Sequence, residues 1–483
     1  VNPQIRRIFL VVLGLFALLG ISVTWVQFVQ APDLVADSRN ARRYLEAASK
    51  DRGPIIVGGS PVALSEQVEN SSNYQRVYPD GKLYTPITGY FSAVNLSATG
   101  LEAAENSVLE GAGNVLFWQR IRALIAGQPR QGGGVVTTID PNIQAAAAEL
   151  LGDNPGAVVV LDAKTSAVRA LYSSPTYDPN PLASLDTSVA AEAAKELEAD
   201  PARPLDNRAI AGNRYAPGST FKIITAAAML EAGISPNTEV EAPVSTVLPN
   251  TDTTVSNIDQ SECGNGHPTF TEAFARSCNT AFIIESQKLA PDALAKMAER
   301  FGFGQTLNIP LTVTPSTFPT DMDAAQTAMS SIGQFEVQTT PMQMAMVAQA
   351  IANGGEMMYP YLVESIVDAD NKVRSTTSAR TFANPISKEI ASEIGQMMVA
   401  TVNEPYGTAQ SAALPGIQVA AKTGTAEVGD GTRANAWTVA YAPADDPQLV
   451  VAVIVEGTEE RPIAHGGAVA APMSRVLLEV GLR

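Results

Sequence analysis

Cysteine and histidine are scarce: Cys263 and Cys278, His267 and His465 are all that 483 residues contain. None of these four has a close-spaced neighbour of the kind that zinc ligand sets use, so neither a metal nor a cofactor is expected. Positive charge is also short. Lys plus Arg number 32 against 49 Asp plus Glu, a net charge of -17 with no basic stripe, which argues against nucleic acid as a partner. Long apolar runs are missing too, with one exception near the N-terminus. At 45% hydrophobic and 17% charged, the chain has enough apolar sequence to bury a large core, and its length suits two or three globular domains.

The exception is Ile8 to Val29, about 22 residues, which at 1.5 Å per residue reaches across a bilayer core. Arg6 and Arg7 precede it, and no small-x-small cleavage pattern occurs between Val26 and Pro32. An uncleaved signal anchor is therefore expected, with residues 1–7 cytoplasmic, 8–29 in a single membrane pass and the remainder extracytoplasmic. Residues 30–134 turn polar, rich in Asn and punctuated by Gly, with short β-like runs at Pro54–Val57 and Thr85–Tyr90. This reads as a small, irregular, β-rich membrane-proximal domain without a cluster of residues for chemistry, suited to interactions or spacing. Gln128 to Gly134, with Pro129 and three consecutive glycines, reads as the linker to a second domain over residues 135–483.

Beyond the linker, Asp140 and Pro141 have the pattern of a helix N-cap and first position, with the helix running through Leu151. Ala157–Leu161 and Ala167–Leu171 read as a hairpin, and Gln418–Ala421, Trp437–Tyr441 and Leu449–Glu456 as further strands before a closing helix, Val469–Leu482. Strands at both ends with helices between predict an α+β domain, an antiparallel sheet covered by helices.

Within that domain Pro217, Gly218, Ser219, Thr220, Phe221 and Lys222 open an apolar run that lasts to Leu230. Proline and glycine stop what precedes, which places Ser219 in the first turn of a buried helix and Lys222 one turn on, on the same face. A lysine amine there can take the serine proton during attack on a carbonyl, and the free N–H groups of the helix start favour the resulting oxyanion. Alone the pair is weak, because a serine three residues before a lysine arises by chance about once per few hundred positions. The bland alternative is a serine N-cap with a solvated lysine.

Two later elements change the weight of that pair: Ser277, Cys278, Asn279, and then Lys422, Thr423, Gly424, Thr425. Ser219 with Lys222 is the only serine-x-x-lysine in the chain, and Lys422 opens its only lysine-threonine-glycine. The middle pattern also fits Ser38, Ser71 and Ser235, but the first two precede the nucleophile, and Ser235 lies roughly 20 Å down the helix axis from Lys222. Along a strand, Thr423 and Thr425 share one face and Lys422 takes the other, and Gly424 leaves room where a substrate backbone would lie. Such an edge suits addition of a peptide strand, with the backbone N–H groups of Ser219 and Thr425 as the oxyanion hole.

The order serine-x-x-lysine, serine-x-asparagine, lysine-threonine-glycine is the signature of penicillin-recognising serine enzymes. The chain resembles the class B penicillin-binding proteins, in particular their short actinobacterial penicillin-binding protein A type. The likeness extends over Thr138–Gln144, Gly156–Asp162, Pro175–Asn180, Asn207–Ala209, Tyr215–Lys222, Ile332–Gln334 and Thr340–Ala345, and more loosely over Arg52–Ile56 and Thr99–Leu109. It implies a peptidoglycan D,D-transpeptidase of cell-wall synthesis and division, in which Ser219 forms an acyl-enzyme with a stem peptide and is also acylated by β-lactams. By the same resemblance Lys222 is the general base, Ser277 and Lys422 relay or stabilise the proton, Asn279 binds substrate backbone, and Thr423 and Thr425 hold the terminal carboxylate. Expected partners are stem peptides and a membrane glycan polymerase or division proteins. A D,D-carboxypeptidase or β-lactamase-like hydrolase would need a water-activating carboxylate, which the sequence does not announce, and a scaffold with a vestigial site would not need intact motifs.

Cys278 in the middle of the second motif departs from the commonest pattern. Both cysteines lie outside the membrane by the anchor argument, and no third competes, so a Cys263–Cys278 disulfide is expected. Closing a loop of that length stabilises by roughly 3 kcal/mol in the chain-entropy model. The alternative is Cys278 packed as a small apolar residue with Cys263 free on a loop.

Overall fold

The N-terminal apolar run forms helix α1 (Pro3–Thr24), none of whose residues is buried. With the turn that follows, Pro3–Gln27 makes 25 residues long and apolar enough to cross a membrane. Helix α1 starts earlier than the run suggests, so Arg6 and Arg7 ride on its first turns instead of preceding it. The computed structural model describes residues 3–30, 48–95, 97–127, 131–212, 214–429, 432–462 and 464–483. The start of the expected membrane-proximal domain, 31–47, and residues 128–130 of the expected linker lie outside the described residues.

Three antiparallel strands, β1 (Ile55–Val57), β2 (Ser60–Gln67) and β3 (Tyr74–Val77), open the next region, followed by helix α2 (Gly81–Thr88). Their core is ionic as well as apolar. Glu102, fully buried, receives Arg52 Nε and Arg76 Nε, each at 2.6 Å, with Tyr78 Oη at 3.3 Å. Burial pushes the Glu102 carboxyl up, but the two guanidiniums outweigh it and hold it below the usual carboxylate range. Strand β4 (Gly134–Thr137) then pairs parallel with β1.

The glycines read as a linker form a close crossing. Gly132 and Gly133 are buried, and their N–H groups donate to Asp51 O and Val108 O at 3.1 and 2.9 Å. A Cβ on Gly132 would lie 2.1 Å from both Gly53 N and Leu109 O, so glycine is required here for proximity of two backbones rather than for flexibility.

Helix α3 (Pro141–Leu151) is capped by Asp140, whose carboxylate accepts from Asn142 N and Ile143 N. The strands β5 (Gly156–Asp162) and β6 (Val168–Ser174) follow, then helices α4 (Lys222–Glu231), α5 (Phe270–Ala275), α6 (Asn279–Ser286) and α7 (Pro341–Ala352). Next come β7 (Val363–Val367), β8 (Val373–Thr376), α8 (Lys388–Asn403), β9 (Ala420–Val428), β10 (Arg433–Ala442), β11 (Leu449–Val455) and α9 (Ala470–Gly481). Two sheets organise them. One runs β8-β7-β4-β1-β2-β3, and so joins the N-terminal strands to later sequence; the other is antiparallel in the order β9-β10-β11-β5-β6.

The antiparallel sheet explains its own sequences. Every residue of β11 is buried, with Val450, Ala452 and Ile454 in the core shared with α7, and Val451, Val453 and Val455 in the core shared with α3 and α9. A strand covered on both faces has no polar alternation, hence the unbroken run Leu449–Val455. The fold is the expected α+β arrangement.

The joint between the two regions uses several stretches that carried the resemblance. Asn180 exchanges two hydrogen bonds with the Tyr78 backbone (2.9 and 3.0 Å), Asn207 Nδ2 donates to Pro86 O (2.7 Å), and buried Gln144 donates to Leu83 O (3.1 Å) and accepts from Leu171 N (2.9 Å). These residues serve packing of the two regions, not the site.

Substituting Gly132→Ala should destabilise the protein by about 2 kcal/mol or more, because backbone cannot yield as a side chain can. Gly113→Ala, whose Cβ would meet Val108 Cγ2 at 3.4 Å, should stay within about 0.5 kcal/mol of wild type. Thermal or denaturant unfolding compares them; equal losses would refute the crossing as the reason for glycine.

Candidate active site

Ser219 lies on a single 3-10 turn, Gly218–Phe221, that leads into α4 and leaves Lys222 as the first α-helical residue. As the second residue of a helical turn it presents a backbone N–H without an intrahelical partner. The Ser219 residue is 5% exposed, at the wall of the cleft, and Lys222 is fully buried. Helix α4 is apolar because it runs through the core: every residue from Lys222 to Leu230 is buried.

The hydrogen bonds of Lys222 run to the second motif. Its Nζ donates to Ser277 O at 2.7 Å and to Asn279 Oδ1 at 2.8 Å, with Ser277 Oγ at 3.4 Å, and no described hydrogen bond joins it to Ser219 Oγ. Burial, and next the charge of Lys422, push the Lys222 amine well below the ordinary lysine range. Lys422 approaches from the opposite side: its Nζ donates to Ser277 Oγ at 2.9 Å and to Thr423 O at 3.0 Å, and burial lowers it to about 7. Aromatic faces supply part of the lost solvation, Phe282 5.3 Å from Lys222 Nζ and Phe274 5.6 Å from Lys422 Nζ.

Ser277 is therefore the residue on which both lysines converge. It joins α5 to α6 with φ +61°, a left-handed conformation that costs about 1 kcal/mol or more outside glycine and turns the Ser277 carbonyl toward Lys222. Cys278 next to it is bonded to Cys263, with Cα atoms 6.0 Å apart, so the expected disulfide is present and the free-thiol alternative falls. Asn279 is engaged at both ends, since its Nδ2 also donates to Ser256 O at 3.1 Å. Ser235 is exposed and pairs with Thr238, away from this cluster.

Strand β9 forms an edge of its sheet and pairs only with β10 among the described strands. Its Thr423 hydroxyl meets Thr408 Oγ1 at 2.6 Å. Gly424 has a different reason from the one expected. A Cβ there would lie 3.0 Å from Pro217 O and 3.1 Å from Thr220 Cγ2 and Trp437 Cβ, so its missing side chain lets the strand pack against the nucleophile's own turn.

Two clefts meet at Ser219. The first, about 340 Å³, includes Thr408, Thr423, Tyr406, Arg276 and the loop residues Asp259 and Glu262. The second, about 420 Å³, includes Ser256, Asn279, Gln334 and Glu427. Ser219, Asn257, Ile258, Thr425 and His465 line both. Thr408, Asn257 and His465 had no motif to mark them; folding brings them to the site from separate segments.

Comparison with known proteins agrees with this geometry. The penicillin binding protein transpeptidase domain matches residues 156–479, and the penicillin binding protein A dimerisation domain matches residues 52–135. Peptidoglycan D,D-transpeptidase PbpA of Mycolicibacterium smegmatis is 42% identical over 493 residues, covering 100% of this chain and 99% of that protein. The chain belongs to the PbpA-type peptidoglycan D,D-transpeptidases. Its namesake in Mycobacterium tuberculosis is 40% identical over 100% of this chain and 99% of that protein. Among solved structures, this transpeptidase is similar to M. tuberculosis penicillin-binding protein A as its ceftriaxone acyl-enzyme, with TM-score 0.86 at 40% identity over 91% of this chain and 100% of that one. The penicillin G acyl-enzyme of the same protein gives TM-score 0.84 at 40% identity over 90% and 100%.

The depressed lysine has a stability consequence. Lys422 binds its proton below about 7 when folded and below 10.5 when unfolded, so between these values the unfolded chain holds a proton that the folded one lacks. Stability contributed by this group must then rise with pH across that window. A Lys422→Met variant should gain stability relative to wild type near neutral pH and lose the advantage as pH rises toward 10.5. Parallel melting temperatures across the range would contradict a depressed Lys422.

Proposed function

We propose that this chain is a peptidoglycan D,D-transpeptidase acting through a Ser219 acyl-enzyme, and that β-lactams acylate the same serine. The observation that supports this most is the convergence of two buried, depressed lysines on Ser277 beside a serine that opens onto two clefts. The donor stem peptide lies along the free edge of β9, its terminal carboxylate held by Thr423 and Thr425 and its scissile carbonyl over Ser219. Ser219 Oγ attacks that carbonyl, and its proton passes to neutral Lys222. The N–H groups of Ser219 and Thr425 face the oxyanion. Proton return to the D-alanine nitrogen runs through Ser277, whose hydroxyl is held by Lys422, so that the C–N bond breaks as the amine leaves neutral. An acceptor amine then replaces Ser219 on the acyl group. Asn279 positions Lys222 and the segment at Ser256 as well as facing the donor.

Helix α1 is read as a single-pass anchor that keeps this domain on the outer face of the membrane, beside a membrane glycan polymerase or division proteins. On this reading residues 30–134 form the non-catalytic domain and 135–483 the transpeptidase domain, although β4 belongs by pairing to the N-terminal sheet.

Labelling with a fluorescent penicillin tests the assignment. Wild type should label covalently and Ser219→Ala should not, while Lys222→Arg, which cannot shed its proton, should fold and fail to label. Retained labelling of Lys222→Arg would remove lysine as the base. Ser277→Ala keeps the left-handed backbone problem unchanged and deletes the hydroxyl, so its second-order acylation rate should fall by roughly 10²-fold, whereas Ser235→Ala should match wild type. Equal rates for the two would exclude Ser277 from proton transfer.

A further inference from the structure

Beyond α1, large apolar side chains left in water gather on one element. The helix Phe117–Ala126 exposes Phe117 (45%), Trp118 (72%), Leu124 (77%) and Ile125 (81%). Among the described residues outside 3–29, no other helix or strand exposes more than one large apolar side chain. Single exposed apolar residues are ordinary, whereas a contiguous set marks an interaction surface. At about 100° per residue, Leu124, Phe117, Ile121, Ile125 and Trp118 fall within one arc of about 120° on this helix. Arg120 and Arg122 occupy the positions just beyond the two borders of that arc, and the helix contains no acidic residue. The Arg122 side chain is exposed, its Nε donating to Trp118 O at 3.4 Å, and the Phe117 and Trp118 rings meet edge-on at 5.3 Å. An apolar arc with an indole, bordered by cations on both sides in a chain of net charge -17, is complementary to the headgroup layer of an anionic bilayer.

The place of the helix in the chain points the same way. Its lead-in ends at buried Leu116, which a Cβ on Gly133 would meet at 2.7 Å, and the chain beyond it returns at Gly132, whose N–H donates to Asp51 O at 3.1 Å. Leu109 O in turn accepts from Gly53 N at 2.9 Å. Both feet of the excursion therefore stand beside residues 51–53, where the chain arrives from α1. Residues 31–47 join Gln30 to Ala48, and covalent geometry limits their reach to roughly 60 Å. We propose that Phe117–Ala126 is an interfacial helix that lays its apolar arc into the outer leaflet of the membrane crossed by α1, with anionic phospholipid headgroups drawn to its arginine borders. The inference rests on the anchor reading of α1. Because α1 already holds the chain at the bilayer, this second contact is intramolecular, so a helix too short to bind a membrane alone suffices. It fixes the tilt of the domain on the membrane, which a single tether leaves free. A second copy of the chain suits the face less well, since an isologous pairing brings together the arginines of two helices with no carboxylate on either to answer them.

Tryptophan fluorescence of the full chain tests this, because Trp25, Trp118 and Trp437 are its three tryptophans and Trp437 is fully buried. The chain is reconstituted at one copy per nanodisc in phosphatidylglycerol, with and without bromine on the acyl chains, which quenches an indole that touches them. In Trp25→Phe, brominated lipid should cut the emission above that of Trp25→Phe/Trp118→Phe by about twofold or more. Adding Arg122→Glu, at an exposed position, should lower this quenching by about twofold in phosphatidylglycerol and much less in phosphatidylcholine. Equal loss in the two lipids would overturn the recognition of anionic headgroups. The Trp118→Phe variant, which keeps Trp25, reports separately on α1. Quenching of Trp25 without quenching of Trp118 would overturn the interfacial helix and leave the anchor, whereas quenching of neither would overturn the anchor reading and this inference with it. A Trp118 emission that shifts to the blue only in discs carrying two copies would assign the face to a second chain instead and overturn the proposal.

Discussion

Two lysine amines buried on either side of one serine set the terms for everything around them. Taking an ammonium out of water costs several kcal/mol per ion, and two like charges so close add to the cost, so the proton is what gives way. Burial lowers both groups, and Lys422 lowers Lys222 further. What remains must be oriented. Ser277 supplies a carbonyl to one lysine and a hydroxyl to the other, and Asn279 and Thr423 supply the remaining acceptors.

That demand propagates outward. Ser277 reaches both lysines only from a left-handed backbone, and the chain on either side of it is held by α5, α6 and the Cys263–Cys278 bond. Lys422 reaches it only if β9 lies against the turn of Ser219, which requires an absent side chain at Gly424. The sheet behind β9 is covered on both faces by helices, so the strand's position is fixed by packing while its outer edge is left for a peptide. Helix starts carry Ser219, Lys222 and Asn279, and a strand carries Lys422, Thr423 and Thr425, which limits the reorganisation needed during reaction.

Much of this was legible along the chain. The fold class followed from the order of strand-like and helix-like runs, and the disulfide from two cysteines without a competitor. Spacing within one motif said nothing of the next. Ser219 and Lys222 three residues apart suggested a shared helix face, and the structure adds that the Lys222 amine also donates to Ser277 and Asn279, on α6 and its lead-in. Gly132 to Gly134 read as part of a linker, since glycine carries the same letter whether it frees a chain or lets two chains touch. Thr408 and Asn257 left no signal, being single polar residues in irregular segments.

The sequence by itself determined which chemical groups are available, their order, and the alternation or continuity of apolar residues that separates strand from helix, because these depend on local geometry with fixed periods. Only the tertiary structure decided which groups meet. Lys222, Ser277 and Lys422 come from three segments far apart in the chain, and their shared pocket exists because core packing expels water from all three at once. The depressed lysines are a property of that exclusion and, for Lys222, of the neighbouring Lys422 charge, since both disfavour a protonated amine and no stretch of the chain supplies them alone.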